Sequence, residues 1–542
     1  MDRKKNYLYY NDAAVEIFRE KIFHPAWNIF LALIFILFLN SSILNYSMVF
    51  AQSNHSKSLT NKPDKNKNDE YNWLQFDFNP QHSGNNTKEV KISIKNVSAL
   101  HRLYKISLPS IADGAPAYLS NVNTSSGKVN IIFVTTKDGH IIAINASNGI
   151  TVWSHQYGTG DYRINNGYQK TYTTSSPAVD PNRKFVYSYG LDGYVHKYQV
   201  SDGQEIKSHG WPELCTLKPF NEKGSSALSI AAAKNGTSYL YVANGGYLGD
   251  RGDYQGHVTT INLSNGKQNV FNANGSNQTI HFVERPGKPD WSAVQTAVWA
   301  RPGVIYDEHT DKIYFATGNG PFDPSGHNWG DAVLEINPDG TGRKGFPVDS
   351  YTPTNFEELD RRDLDLGSTA PAIIPAPSSC RIKELAVQSG KDKKLRLINL
   401  ADLSGKGGPG NVGGEIGNII DVPSGDMVFS QPAVWVNPKD KSSWIFVGTY
   451  HGLAAFKLHV DISGMPYLQQ EWTQSEGSSS PIIANNILYC AVSGSVRALD
   501  PVTGNQLWRG NNIGEIHWES PIVDNGVLYI TDESGDLTAF GL

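Results

Sequence analysis

A repeat limits what this chain can fold into more than any other feature. From residue 114 onward one register recurs eight times. Each unit has a small residue, usually followed by proline, and an aliphatic strand. A stronger apolar strand follows, then a glycine turn, then a third strand ending near Asn or Asp. The first strands read GAPAYL, SSPAVD, SALSIA, ARPGVI, TAPAII, SQPAVW, SSPIIA and ESPIVD. The proline falls at Pro116, Pro177, Pro302, Pro371, Pro432, Pro481 and Pro521, and Ala227 replaces it in the third unit. Third strands begin between 41 residues apart (Gly494 to Gly535) and 75 residues apart (Gly256 to Asp331). A unit of this length holds about four antiparallel strands, and one such sheet cannot bury both of its faces. Stacking neighbours around an axis buries them, so the pattern predicts an all-β fold: an eight-bladed β-propeller of four-stranded antiparallel blades. Fourth strands stand out at ITVWSHQ, with Trp153, and NQLWRGN, with Trp508. The last unit has none, which leaves an open edge. The segment HRLYKISLP, 101–109, precedes the first unit and resembles a fourth strand, so it is expected to complete the last blade and close the ring.

Composition agrees and excludes several functions. The 542 residues include 51 Gly, 28 Pro, 26 Tyr and 12 Trp, which suits short strands joined by turns. The formal net charge is −5 and no basic stripe is present, which argues against nucleic acid as a partner. Cys215, Cys380 and Cys490 form no CxxC or CxxCH, so a thiolate zinc site, a covalent haem and a disulfide framework lack support. No GxSxG, P-loop, HExxH or dinucleotide fingerprint stands in a strand–helix context, so hydrolase, kinase and nicotinamide readings lack it too. Residues 1–27 read as a short leader bearing Arg3, Lys4, Lys5, Arg19 and Lys21. Within 28–51, the apolar run IFLALIFILFL is followed by SMVFAQS. This is a signal peptide cleaved after Ala51 or, uncleaved, a membrane anchor. Either way the basic leader places the remainder outside the cytoplasm, secreted or anchored. Residues 52–72 form a polar tether, and 73–542 the propeller.

The repeats VRALDPVTGNQLW, 496–508, and AINASNGITVW, 143–153, resemble the tryptophan repeat of pyrroloquinoline quinone (PQQ)-binding-like β-propellers. WLQFDFNPQHSGN, 73–85, is similar to the lead-in segment of the same superfamily, and the resemblance spans roughly 73–542. That superfamily includes quinoprotein dehydrogenases and non-catalytic scaffolds such as the outer-membrane assembly lipoprotein. Three stretches are similar to the quinoprotein alcohol dehydrogenases. YDEHTDKIYFATGNGPFD keeps the family spacing from Asp307 to Asn319, which implies that Asn319 is a Ca²⁺ ligand beside the quinone; an amide oxygen is a hard donor suited to that ion. SGKDKKLRLINL places Lys391 where the family pairs a cation with the quinone oxygens. LDRRDLDLGS resembles the segment that supplies the catalytic base, with Asp363 the best match and Asp365 the next. Such a carboxylate takes the alcohol proton as hydride leaves. There are departures. The family's vicinal cysteine pair is absent. Its acidic calcium ligand lies in a loop that here is the longer GGYLGDRGDYQGHV, 245–258, where Asp250 or Asp253 is the substitute. The place of its cofactor-stacking tryptophan is Arg301, with Trp299 two residues away, on the same side of the strand but displaced by ~6–7 Å.

Each of these positions also has a plainer reading. Asn319-Gly320 is a turn signal in any β-protein. GKDKK around Lys391 reads as a solvated turn, and the charged run 357–365 as a salt-bridged surface loop. His327, His451 and His517 belong to different units, and a shared metal site would require one mouth to gather them. Cys490 in ILYCAV reads as a small buried thiol. Two functions stay open. One is an exported quinoprotein-type oxidoreductase, alcohol or sugar dehydrogenase-like, that binds PQQ and Ca²⁺. With no haem motif, it passes electrons to a separate acceptor. The other is a non-catalytic extracytoplasmic scaffold for envelope proteins or glycans. The long loops 206–255, 267–301, 318–331 and 340–368 are expected to crowd one mouth. An enzyme requires Asn319, Asp363, Lys391 and an acid from 250–253 to share one cavity; in a scaffold they scatter, or the channel is plugged.

Overall fold

The computed structural model describes residues 71–158, 161–164, 167–250, 252–280 and 291–542. The leader, the signal or anchor segment and nearly all of the tether lie outside the described residues. Among the described residues no helix is long and apolar enough to cross a membrane.

Each repeat folds as one antiparallel sheet. In blade one, Ala117–Thr124, Gly127–Thr135, His140–Asn145 and Thr151–Gln156 lie side by side in sequence order. Blades two to seven follow over 178–214, 223–272, 305–351, 372–421, 433–474 and 482–511. Blade eight has three strands of its own, Ile522–Asp524, Val527–Thr531 and Asp536–Gly541. Its fourth is His101–Ser107, paired antiparallel from His101 opposite Gly541 to Ser107 opposite Asp536. The chain is therefore an eight-bladed propeller closed by an N-terminal strand, as its repeat implies.

The second strands read as continuous apolar runs because both of their faces are covered. In blade one, Ile131 and Phe133 pack with Val186 and Tyr198 of blade two, while Ile132 and Val134 pack with Tyr529 and Ile530 of blade eight. Tryptophans of the fourth strands tie neighbours together. The Trp153 indole N–H donates to the Val200 carbonyl (3.1 Å), that of Trp472 to Pro501 (3.1 Å), and that of Trp508 to Leu100 beside the closing strand (2.8 Å). Each ring also lies over a turn glycine of the repeat where one is available. A Cβ at Gly203 would lie 2.6 Å from the Trp153 ring, and one at Gly504 3.0 Å from Trp472; both glycines have positive φ.

The hub is crossed at one end by the lead-in segment. Residues 73–86 bond in turn to first strands of seven blades, the last through the Asn86 amide, which donates to the Val523 carbonyl of blade eight (2.7 Å). Tyr118, Val179, Tyr306 and Val434 donate to the carbonyls of Trp73, Leu74, Pro80 and Ser83, and Ile483 to that of Gly84. Gln75 exchanges both of its amide bonds with Ile230 (2.7 and 3.2 Å). Of the long loops, 273–278, 322–329 and 343–346 pack against one another outside the hub. His327 bonds the Gly345 carbonyl (2.9 Å), Ser276 N–H donates to the His327 carbonyl (3.0 Å), and Trp329 stacks edge-on against Phe346 (6.1 Å). Only parts of those loops therefore reach the mouth. The remaining helical element of note is one short helix, Phe356–Arg362.

The tryptophan and its glycine make one packing unit, so either change should loosen the ring. Trp153→Ala is expected to cost about 3–5 kcal/mol, and Gly203→Ala about 1–3 kcal/mol through overpacking and a disfavoured φ. Thermal unfolding of the two variants and of their combination checks this: the double variant should lose less than the sum.

Candidate functional site

Opposite the crossing segment the hub opens into a cavity of about 950 Å³. Its walls come from two recurrent places in the repeat, the lead-in to the first strand and the turn after the second. Asp250, Trp299, Asn319, Asp363, Asp365 and Lys391 all line it. Asp253 does not. The loop turns inward there, and Asp253 is buried 3.7 Å from Lys218, accepting a bond from Gln255 (3.0 Å). Of the two acids in this loop, only Asp250 faces the cavity.

Blades four and five are joined at the wall by Asp365. Its carboxylate accepts the Asn319 backbone N–H at 2.6 Å and the Lys391 ammonium at 2.6 Å, and its carbonyl accepts the Lys391 N–H at 3.0 Å. The glycines of the three motifs permit this approach. A Cβ on Gly318 would meet an Asp365 oxygen at 2.7 Å, and one on Gly367 would meet the Thr317 backbone at 2.4 Å. Asp363 ends the helix 356–362 in a left-handed conformation (φ 53°). Its side chain is 62% exposed and bonds Lys391 at 2.9 Å. Burial pushes Asp365 above the ordinary carboxylate range, and Lys391 restrains that rise. Burial alone would lower Lys391, but Asp365 and Asp363 more than offset it and hold the ammonium above its usual range. The Asn319 amide faces an Asp250 oxygen at 3.4 Å, and the Tyr254 hydroxyl holds the other oxygen of that carboxylate. Asp307, at the start of the same motif, caps a turn instead, accepting the N–H groups of His309 and Thr310.

The floor is aromatic. Trp299 meets Trp518 edge-to-face (5.8 Å) and Phe429 at 6.1 Å, and Phe429 meets Trp518 at 5.6 Å. Lys391 lies 5.4 Å from the centroid of Trp299. Arg301 lies beneath, between Trp518 (5.5 Å) and Phe76 of the crossing segment (5.9 Å), and donates to the carbonyls of Asp113, Thr174 and Ser225. Beyond it stands a charged cluster. Asp113 accepts from His517 (2.9 Å), from the Trp518 N–H (3.0 Å) and from Lys137 (3.0 Å), and Lys137 also reaches Glu533 (2.7 Å). His517 is the one member of its predicted trio on this wall: His327 bonds Gly345, and the exposed His451 bonds Asp426.

Sequence reasoning missed Asp113, Thr174, Phe429 and Trp518, yet a signal existed. Each stands three residues before the repeat proline, the same place as Trp299 before Pro302. That position lies four to six residues before the first strand, in the lead-in that borders the cavity.

Comparison with known proteins agrees with this architecture. Residues 444–541 match the family model described as outer membrane protein assembly factor BamB. A search of curated proteins finds no match. Among solved structures, the quinohemoprotein alcohol dehydrogenase ADHIIG from Pseudomonas putida HK5 aligns with a TM-score of 0.57 and 14% identity, over 87% of this chain and 80% of that one. A europium-containing methanol dehydrogenase aligns at 0.58 and 13%, over 87% and 98%. The quinohemoprotein alcohol dehydrogenase from Comamonas testosteroni aligns at 0.55 and 14%, over 87% and 80%. Eight stacked blades around a lined hub place the chain among the β-propellers. Within that class its fold is similar to that of the dehydrogenases named above, the family-model match covers residues 444–541, and identities this low carry the fold alone.

Glu519, under the floor, gives a test of the buried charge. Burial first, and Asp113 next, push its carboxyl up to about 9, so it stays protonated in the folded state where the unfolded chain would ionise near 4.5. The folded state then binds more protons between these values, and stability falls as pH rises through that window. Glu519→Gln should remove this slope: the variant should gain stability over the wild type progressively from pH 5 to pH 9, measured by thermal unfolding.

Proposed function

We propose that this protein is a quinoprotein-type oxidoreductase that holds PQQ and a divalent cation in the hub cavity and acts on an alcohol or sugar hydroxyl. One observation carries the reading: Asp250, Asn319, Asp363, Lys391 and Trp299, drawn from three blades, line a single cavity. The donor chemistry fits the group. Asp250 and Asn319 offer hard oxygen donors to a cation such as Ca²⁺. Trp299 and Trp518 offer aromatic surface to a flat ring system, with the Lys391 ammonium beside it to face quinone oxygens. When bound, the quinone supplies hydride acceptance. The chain's own residues do the rest. Asp363, exposed on the wall and bonded to Lys391, takes the hydroxyl proton. Lys391 would offset the negative charge that develops on the substrate oxygen as its proton moves to Asp363, and Asp365 holds Lys391 and the Asn319 backbone in place. Asp365 itself has both oxygens engaged, which makes Asp363 the better base. Electrons leave to a separate acceptor. The N-terminal segment supports an extracytoplasmic location.

A second reading, a non-catalytic scaffold for an envelope protein, is favoured by the match of residues 444–541 to the family model of an assembly factor. Calorimetric titration of the full chain with PQQ, with and without Ca²⁺, separates the two. The enzyme reading expects Ca²⁺-dependent binding that Asn319→Ala and Lys391→Ala each weaken by at least about tenfold, together with dye-linked alcohol oxidation that Asp363→Asn abolishes. Absence of binding under every metal condition sinks it in favour of the scaffold.

A further inference from the structure

Most cations of the cavity are accounted for by the protein. Lys391 is held by Asp363 and Asp365, Lys137 by Asp113 and Glu533, and Arg301 by three carbonyls. Lys223, on the blade-three wall, is different. It is only 8% exposed, yet it lines the cavity. Its ammonium lies 4.1 Å from the centroid of the Tyr172 ring, and among the described residues no carboxylate lies within ion-pair distance of it.

The fold places it there deliberately in the geometric sense. Lys223–Gly224 pairs with Asn244 and Gly245 ahead of the main inner strand Ser229–Ala232, so blade three carries its innermost strand in two pieces. The upper piece stands beside the loop 246–250 that presents Asp250 to the same cavity. An ammonium that is nearly buried and faces only an aromatic ring on the protein side is poorly compensated. Burial pulls its proton affinity down to about 7; Asp113 opposes that fall, and Arg301 and Lys137 add to it. The missing element is an anion, and open space for one lies in front of the amine.

We propose that Lys223 is the anchor of a carboxylate-binding subsite on the blade-three wall, which takes an acidic group of the molecule held in the cavity. The inference rests on the cavity being a ligand site, as proposed above, but not on the ligand being a quinone. The carboxylate has two sources, the cofactor's own acid groups or an acidic substrate, and the chemistry of recognition is the same for both.

The test is calorimetry of the full chain in two buffers with different heats of ionisation, which counts protons exchanged on binding. The probes are PQQ with Ca²⁺ and, separately, benzene-1,3,5-tricarboxylate. A carboxylate seated beside Lys223 restores its proton, so binding at pH 8 should take up about one proton, and at pH 6 almost none. Lys223→Arg should bind and take up none. Lys223→Met, which keeps most of the length of the side chain and its contact with the Tyr172 ring, should fold and lose at least about tenfold in affinity. Uptake with PQQ alone assigns the carboxylate to the cofactor. Uptake with the tricarboxylate, whether or not PQQ binds, assigns it to an acidic substrate, and if PQQ then fails to bind, the quinone reading falls while the subsite stands. Binding with no proton uptake that depends on Lys223, or with Lys223→Met unchanged, overturns the subsite, as does the failure of both probes to bind.

Discussion

Each blade buries both faces only when it has a neighbour on each side, and that requirement runs around the ring until blade eight meets blade one. The closing strand His101–Ser107 satisfies it. This strand is the fourth of blade eight by hydrogen bonding, and the Tyr104 and Ile106 side chains on it pack over Gly149 in a turn of blade one. Trp508 from blade seven donates to Leu100 at its start. One strand thus serves three blades. The hub cavity depends on the same closure, because its lining positions come from twelve separate stretches of the sequence that converge only when the circle is complete.

What could be read from the sequence follows from where periodicity constrains the chain. The eight units, the Trp153 and Trp508 strands and the role of HRLYKISLP were legible because apolar runs and turn glycines recur in one register. Placement of Asn319 and Lys391 on the cavity was legible because both stand in the turn after a second strand, a fixed point of each blade. Asp250 and Asp253 could not be separated, since they lie in a loop with no repeat to set its direction. There the structure decides: Asp253 turns toward Lys218. The run 357–365 carries both of its readings at once. Arg362 pairs with Glu358 on an exposed helix surface (2.8 Å), while Asp363 and Asp365 turn into the wall. Lys223 left no signal, because an isolated lysine in KGSSA looks solvent-facing until the inner strand of blade three is seen to be divided. The crossing of the hub by residues 73–86 was equally hidden, since its bonds to seven blades are only one or two to each and follow no sequence spacing.

Asp365 shows how one buried group can belong to fold and site together. It fixes the Asn319 backbone of blade four and the Lys391 ammonium of blade five within 2.6 Å. A buried carboxylate that holds two donors is a clamp; its value lies in the position it imposes on its partners. The plainer readings of Asn319 as a turn residue and of Lys391 as a turn lysine are in this sense also correct. The turn geometry is what aims the side chains.

Because residues 73–86 run across one end of the hub, with Phe76 and Arg301 stacked behind Trp518, the described residues leave the opposite end as the way into the chamber. Traffic through it has to be sequential. Whatever lies deepest, against the tryptophans, must arrive first and stays while smaller molecules come and go over it. A molecule seated above it must leave before the next one enters, past the loop 246–250 on the blade-three side.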